Sequence, residues 1–357
     1  MLRTPRLFAR SLLLALAASC GSGDPAAAPS LSPTPGGSAP SLSPTPGGVA
    51  VPSSSPTKSR AAELALPRAQ VAAAPAAPAP SAAPESVPPL TSYPWLGERA
   101  LAWPEPVARA NQRFSPPPGF ARAPLASGSF GAWLRALPLA AEGTPVRSFR
   151  GDVLHEASHA GVAAVASLDI GRADLQQCAD SIVRLHAEWR WSQGDRAMTY
   201  RAASGVPMPY QRWARGERPR PEGQSLRWAP GAAAGENYLS FRSYLNEVFR
   251  YANTGALAVQ GAKIDAGELR PGDFFVQPGA PGHAVLVVDV VTDAAGRRAA
   301  LLAQGFMPAQ SFHILRPEAG AAVAAGSAWF LLDPTAAGVK TPFWPTFLWS
   351  SLRRLDG

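Results

Sequence analysis

Residues 21 to about 88 are dominated by Pro, Ala, Ser and Gly, and this stretch limits the fold more than any other feature of the chain. The nonapeptide Pro-Ser-Leu-Ser-Pro-Thr-Pro-Gly-Gly occurs at 29–37 and again at 40–48. Such a segment has too little apolar side chain to offset the entropy lost on ordering it. Its prolines favour extended, solvated backbone, so it reads as a spacer. Any core must therefore come from the residues C-terminal to it. Trp, Phe and Leu become frequent from about Tyr93, leaving about 265 residues, enough for one large domain. No second linker interrupts them. The expected organisation is a leader over 1–19, a linker over 20–92 and one globular domain over 93–357, with its core at 114–355.

The leader has its own logic. Arg3, Arg6 and Arg10 form a positive start, and Leu12 to Ala18 is an apolar run too short to span a bilayer of about 30 Å. It ends in Ala17-Ala18-Ser19-Cys20, small residues before a cysteine, which is the pattern of a lipoprotein signal peptide. The expectation is export, with Cys20 lipidated and the chain anchored to an envelope membrane, the outer one in a Gram-negative host. An ordinary secretory leader with an incidental cysteine is the alternative. The formal charge is +8, and without the three leader arginines it is about +5. The remaining arginines are scattered, with no basic run interleaved with aromatics, so nucleic acid is not an expected partner.

Only two cysteines are present. With Cys20 acylated, Cys178 has no partner in its own chain, and a lone exported thiol is either buried or used. Asp174-Leu175-Gln176-Gln177-Cys178 reads as the start of a helix, with Asp174 capping and Gln177 reaching back. That places Cys178 in the first turn, where the helix dipole lowers a thiol pKa and favours the reactive thiolate. The structural alternative is equally visible. Leu175, Cys178, Ile182, Leu185 and Trp189 recur at spacings of three and four, which is one apolar helix face.

A second helix is expected over 237–252. A Pro271-Gly272-Asp273 turn then feeds a strand at Phe274–Gln277, and Pro281-Gly282-His283 opens another at Ala284–Val291. A turn at Asp293-Ala294-Ala295-Gly296 leads into Ala299–Gln304. An earlier strand is expected over Val162–Ile170. Helices with an antiparallel sheet give an α+β fold. A hairpin centred between 294 and 295 puts Gln304 opposite Val285, on the same face as His283. The resulting assignment is Cys178 as nucleophile, His283 as base and acid, and Gln304 as the group that fixes the ring. A backbone-bonded core histidine and a locally satisfied amide are the structural alternatives.

His155-Glu156-Ala157-Ser158-His159 offers rival chemistry. On a helix, His155 and His159 would share a face and hold zinc while Glu156 activates water, with Glu188 a candidate third ligand. Gly161 and the β-like run after it argue against a helix there. No cofactor is therefore expected. A third class, a non-catalytic envelope-binding lipoprotein, would use tryptophans and Arg184, His186 and Glu188 on the other faces of the first helix for recognition or solvation.

Several segments carry a resemblance. Ser129-Phe130-Gly131-Ala132-Trp133-Leu134-Arg135, Asp174 through Asp180, Pro281-Gly282-His283-Ala284-Val285, and Leu301 through Gln304 on to Met307-Pro308-Ala309-Gln310 and His313 resemble a bacterial family known as domain of unknown function 4846. Gly305 stands where that pattern suggests serine. More distantly, the order of helix-borne Cys, Pro-Gly-Asp turn, Gly-His strand and polar third residue resembles cell-wall cysteine peptidases of the NlpC type. That resemblance implies a papain-like core and an amidase or peptidase acting on peptidoglycan or an envelope peptide. Gln-Cys-Ala-Asp stands in place of their usual Asp-Cys-Ser-Gly.

Overall fold

The computed structural model describes residues 87–98 and 101–356. The leader, Cys20 and most of the linker lie outside the described residues. The described residues open with short 3₁₀ turns at Leu90–Ser92 and Pro94–Gly97. Tyr93 and Trp95 are already fully buried. Trp103, Phe114 and Phe130 pack half-buried against the same core.

The fold is mixed α and β. The elements that matter here are β1 (Phe120–Arg122), β2 (Val162–Val165), α1 (Cys178–Ser192), α2 (Tyr238–Tyr251), α3 (Thr254–Gln260) and β3 (Ala262–Lys263). They continue with β4 (Phe274–Gln277), β5 (His283–Asp293), β6 (Arg298–Gln304), β7 (His313–Leu315), β8 (Phe330–Leu332), β9 (Gly338–Thr341), β10 (Trp344–Leu348) and β11 (Leu352–Arg354). A nine-stranded sheet runs β3-β11-β4-β5-β6-β7-β2, with β8 joined to β6 and β1 to the far end of β5. All its pairings are antiparallel. Three of the four expected strands form its centre; the fourth, β2, lies at the edge and ends at Val165, short of the predicted Ile170.

The sheet buries both faces, as its apolar strand runs require. One face of β5 carries Ala284, Leu286 and Val288 and shares a core with Ala179, Ile182 and Leu185 of α1. The other carries Val285 and Val287 and packs on Phe275, Phe347 and Leu352. Side chains alternate along the strand, so His283 leaves β5 on this second face.

The expected hairpin register holds at one end only. Leu286 faces Ala303 and Val287 faces Leu302, as predicted, but Asp289 faces Leu301. A bulge between Val287 and Asp289 absorbs the difference, because the turn is longer than a two-residue loop: the Asp293 N–H bonds the Arg297 carbonyl.

The first helix starts later than its sequence suggests. Gln177, not Asp174, is the N-cap, and its N–H donates to Asp180 Oδ2 at 3.2 Å. Asp174 instead accepts from Gln177 Nε2 at 2.9 Å and from the Ala309 N–H at 2.7 Å, tying the loop after β6 to the start of α1. A single apolar face was also too modest an expectation. Every residue from Cys178 to Trp189 is buried, and Arg184, His186 and Glu188 are not on solvated faces. α1 packs on β5 and meets Tyr238 and Phe241 of α2, so its polar groups must find partners inside. Arg184 contacts Asp169 Oδ1 and Glu188 Oε1, both at 2.6 Å, and Arg242 NH2 sits 3.0 Å from Asp169 Oδ2. The Tyr238 hydroxyl donates to Glu188 at 2.7 Å. Burial alone would raise the Asp169 pKa, but the two guanidinium groups outweigh it and hold it at about 2.

Candidate functional site

Cys178 is the first residue of α1, and its Sγ points at the opening of β5. The thiol donates to the Gly282 carbonyl across 3.9 Å, and the Ala284 N–H is directed at the sulfur. Sγ is thus held by the backbone on either side of His283. Gly282 is what allows so close an approach. A Cβ there would meet Thr254 Oγ1, the Gly279 nitrogen at 2.7 Å and the Gln277 carbonyl at 2.9 Å. Gly305, where a serine was expected, has a similar cause: a Cβ would meet Ser181 Oγ and, at 3.0 Å, the Gln177 carbonyl. The Ser181 hydroxyl already occupies that space and donates to Gln177 O at 2.7 Å.

A groove of about 320 Å³ leads to the thiol, lined by Cys178, Asp180, Arg250, Asn253, Thr254 and Met307 among others. Cys178 is only 3% exposed at its base. The expected lowering of its pKa does not occur. Burial pushes the thiol up to about 11, and the neighbouring Asp180 carboxyl adds to the effect; N–H groups of Ala284 and Ala179 oppose it only in part. Asp180 is itself raised to about 8 by burial, against the Gln177 N–H.

His283 is fully buried at the mouth of β5. Its Nε2 lies 2.8 Å from Gln304 Oε1, so the face predicted from the hairpin register is the one observed. The rings of Phe306, Trp344 and Phe347 surround it at centroid distances of 4.7, 4.9 and 5.9 Å. Trp344 and Phe347 come from the β9–β10 hairpin, which Trp344 Nε1 pins to Gln277 Oε1 at 2.9 Å. Burial lowers the imidazole pKa to about 4 against the Gln304 bond. Its Nδ1 is buried with no hydrogen-bond partner. Among the described residues no hydrogen bond joins Sγ to the ring. The thiol and the imidazole occupy one strand opening, with the sulfur against the backbone and the ring on the face away from α1.

The H-E-x-x-H segment is not helical. His155 ends a strand at Val153–His155 and His159 lies in the turn after it, so the shared helical face is absent. The two rings are 4.7 Å apart and pack on Phe343. Glu188 is elsewhere, inside the Arg184 network. Among the described residues no group of three or more His, Cys, Asp or Glu is placed to hold a metal.

Sequence reasoning missed three contributors: His313, Phe306 and Trp344. His313 pairs with Gln304 across β6–β7, and its Nε2 lies 3.4 Å from Gln304 Nε2. β7 is three residues long and comes after an irregular loop, so no periodicity announced it.

Fold and site together define a domain of mixed α and β structure with a thiol at a helix start and an amide-held histidine at a strand start. The chain belongs to the family described as domain of unknown function (4846), whose pattern matches residues 110–354. No curated protein and no solved structure matches it.

Proposed function

We propose that this chain is an exported lipoprotein, anchored through Cys20, whose domain is a Cys–His hydrolase with a papain-like core of the NlpC type. Its substrate is an amide bond in peptidoglycan or an envelope peptide. One observation carries the reading. The unpartnered Nδ1 of His283 stands at the strand opening whose backbone holds the Cys178 sulfur.

In this reading substrate binding brings the His283 ring round to the sulfur, and Cys178 Sγ attacks the scissile carbonyl while Nδ1 takes its proton. The Cys178 N–H is one of the orphan donors at the start of α1, so it donates to the developing oxyanion. The imidazolium, held by Gln304, returns the proton to the leaving amine, and water then cleaves the thioester. The resting pair is neutral, a thiol near pKa 11 beside an imidazole near 4. Proton transfer therefore accompanies attack rather than preceding it.

The decisive experiment is incubation of the purified chain with peptidoglycan, then mass spectrometry of the soluble fragments. New termini should appear, and both Cys178→Ser and His283→Ala should abolish them. Pull-down on peptidoglycan without fragment release, unchanged by Cys178→Ala, would reject hydrolysis. It would favour a binding lipoprotein, the reading that the 3% exposure of Cys178 supports. Incorporation of a radiolabelled fatty acid that persists in Cys20→Ala would reject the anchor.

A further inference from the structure

His313 makes one hydrogen bond whose direction is not negotiable. Its Nδ1 lies 2.9 Å from the Ser311 carbonyl oxygen. A carbonyl only accepts, so Nδ1 carries the proton. His313 is fully buried, and burial outweighs the Ser311 bond to lower its pKa to about 4, with His155, His283 and His159 nearby acting in the same direction. At neutral pH the ring has one proton, and Nε2 has a bare lone pair.

That lone pair decides how the Gln304 amide is turned. The amide atom 3.4 Å from it must be the NH₂ group, because an oxygen there would face a second acceptor. Gln304 Oε1 then faces His283 Nε2 at 2.8 Å. Oxygen accepts, so the His283 proton sits on Nε2. Nδ1 is left bare, and it is the nitrogen found buried without a partner.

We infer that His313 is a positioning residue: through Gln304 it sets the tautomer of His283 and keeps Nδ1 free to accept a proton. The Ser311 carbonyl is the fixed end of this relay. Ser311 is itself anchored, its N–H bonding the Arg147 carbonyl at 2.9 Å and its Oγ accepting from the Arg147 N–H at 3.1 Å. The inference rests on the Cys–His reading only for what Nδ1 is used for. The tautomer can be read whether or not the protein cleaves anything.

The test is nitrogen NMR of the full-length chain labelled with ¹⁵N-histidine. The chain has five histidines, so each ring can be assigned by single substitution. At pH 7, His313 should be protonated on Nδ1 and His283 on Nε2. In His313→Phe, which keeps a ring against Phe343, the amide loses its acceptor and can turn over. The fraction of His283 with bare Nδ1 should then fall from nearly all to about half. A native His313 protonated on Nε2 overturns the relay, as does a His283 spectrum unchanged in His313→Phe. If that variant does not fold, the native spectrum still decides. The expected spectrum without any peptidoglycan cleavage upholds the relay and counts against the hydrolase alone; cleavage with the opposite tautomers does the reverse.

Discussion

Alkylation of Cys178 as a function of pH puts a number on the thiol's burial. With Cys20→Ala, Cys178 is the only thiol in the chain. An ordinary thiol of pKa 9.0 is ionised to about 1 part in 100 at pH 7, whereas one at about 11 is ionised to about 1 part in 10,000. Iodoacetamide should therefore react about 100-fold more slowly than with an unfolded chain at the same pH, before any loss from restricted access. The rate should climb about tenfold per pH unit to at least pH 10. Denaturant at pH 7 should recover the missing factor. Burial and Asp180 raise this pKa, and the imidazole is not bonded to the sulfur, so His283→Ala should leave the curve where it is. A rate that levels off below pH 8 would refute the reasoning. It would mean that a thiolate–imidazolium pair forms in solution and that the helix start outweighs desolvation.

Three further outcomes can be measured directly. Gly282→Ala should cost about 1–3 kcal/mol through overpacking against the Gly279 and Gln277 backbone, read as a lower urea midpoint; an unchanged midpoint would mean that the loop yields freely. Arg184→Leu strips the buried Asp169 and Glu188 of a shared partner and should cost about 3–5 kcal/mol, and a loss under 1 kcal/mol would contradict the network. Acid should destabilise the fold between pH 6.5 and 4. His186, His283 and His313 are each depressed to about 4, so below 6.5 the unfolded chain binds protons that the folded chain refuses. Asp180, Glu188 and Asp273, all raised, act in the opposite sense, leaving a net slope of about 1–2 kcal/mol per pH unit. Stability that stays flat across that window would show that these rings are hydrated.

The pairing of His283 with Gln304 was legible because it needed only strand alternation and one hairpin. The bulge near Asp289 could not be foreseen, yet it lies beyond Val287 and leaves the site register intact. Long apolar runs gave β4, β5 and β6 and the span of α2 for the same reason: their periodicity is local. What was not legible depends on contacts distant in sequence. The apolar stripe on α1 could not reveal that its polar faces were buried too, since Asp169 and Arg242 lie on other segments. The dipole argument for Cys178 used only the helix. It had no access to the walls of Gly282, Thr254 and Asp180 that dry the thiol. Asp174 looked like a cap because its true partner, the Ala309 N–H, is 135 residues away.

The aromatic wall around His283 has a consequence for biosynthesis. Trp344 and Phe347 leave the ribosome about 60 residues after the imidazole they cover. A nascent chain that has already emerged through Gln304 can bond its histidine, but it cannot yet keep water from it. The environment of the ring is therefore completed only once the chain has been made through Phe347. A chain stopped at Ala337 would retain Cys178, His283 and Gln304 and still lack the roof over the imidazole.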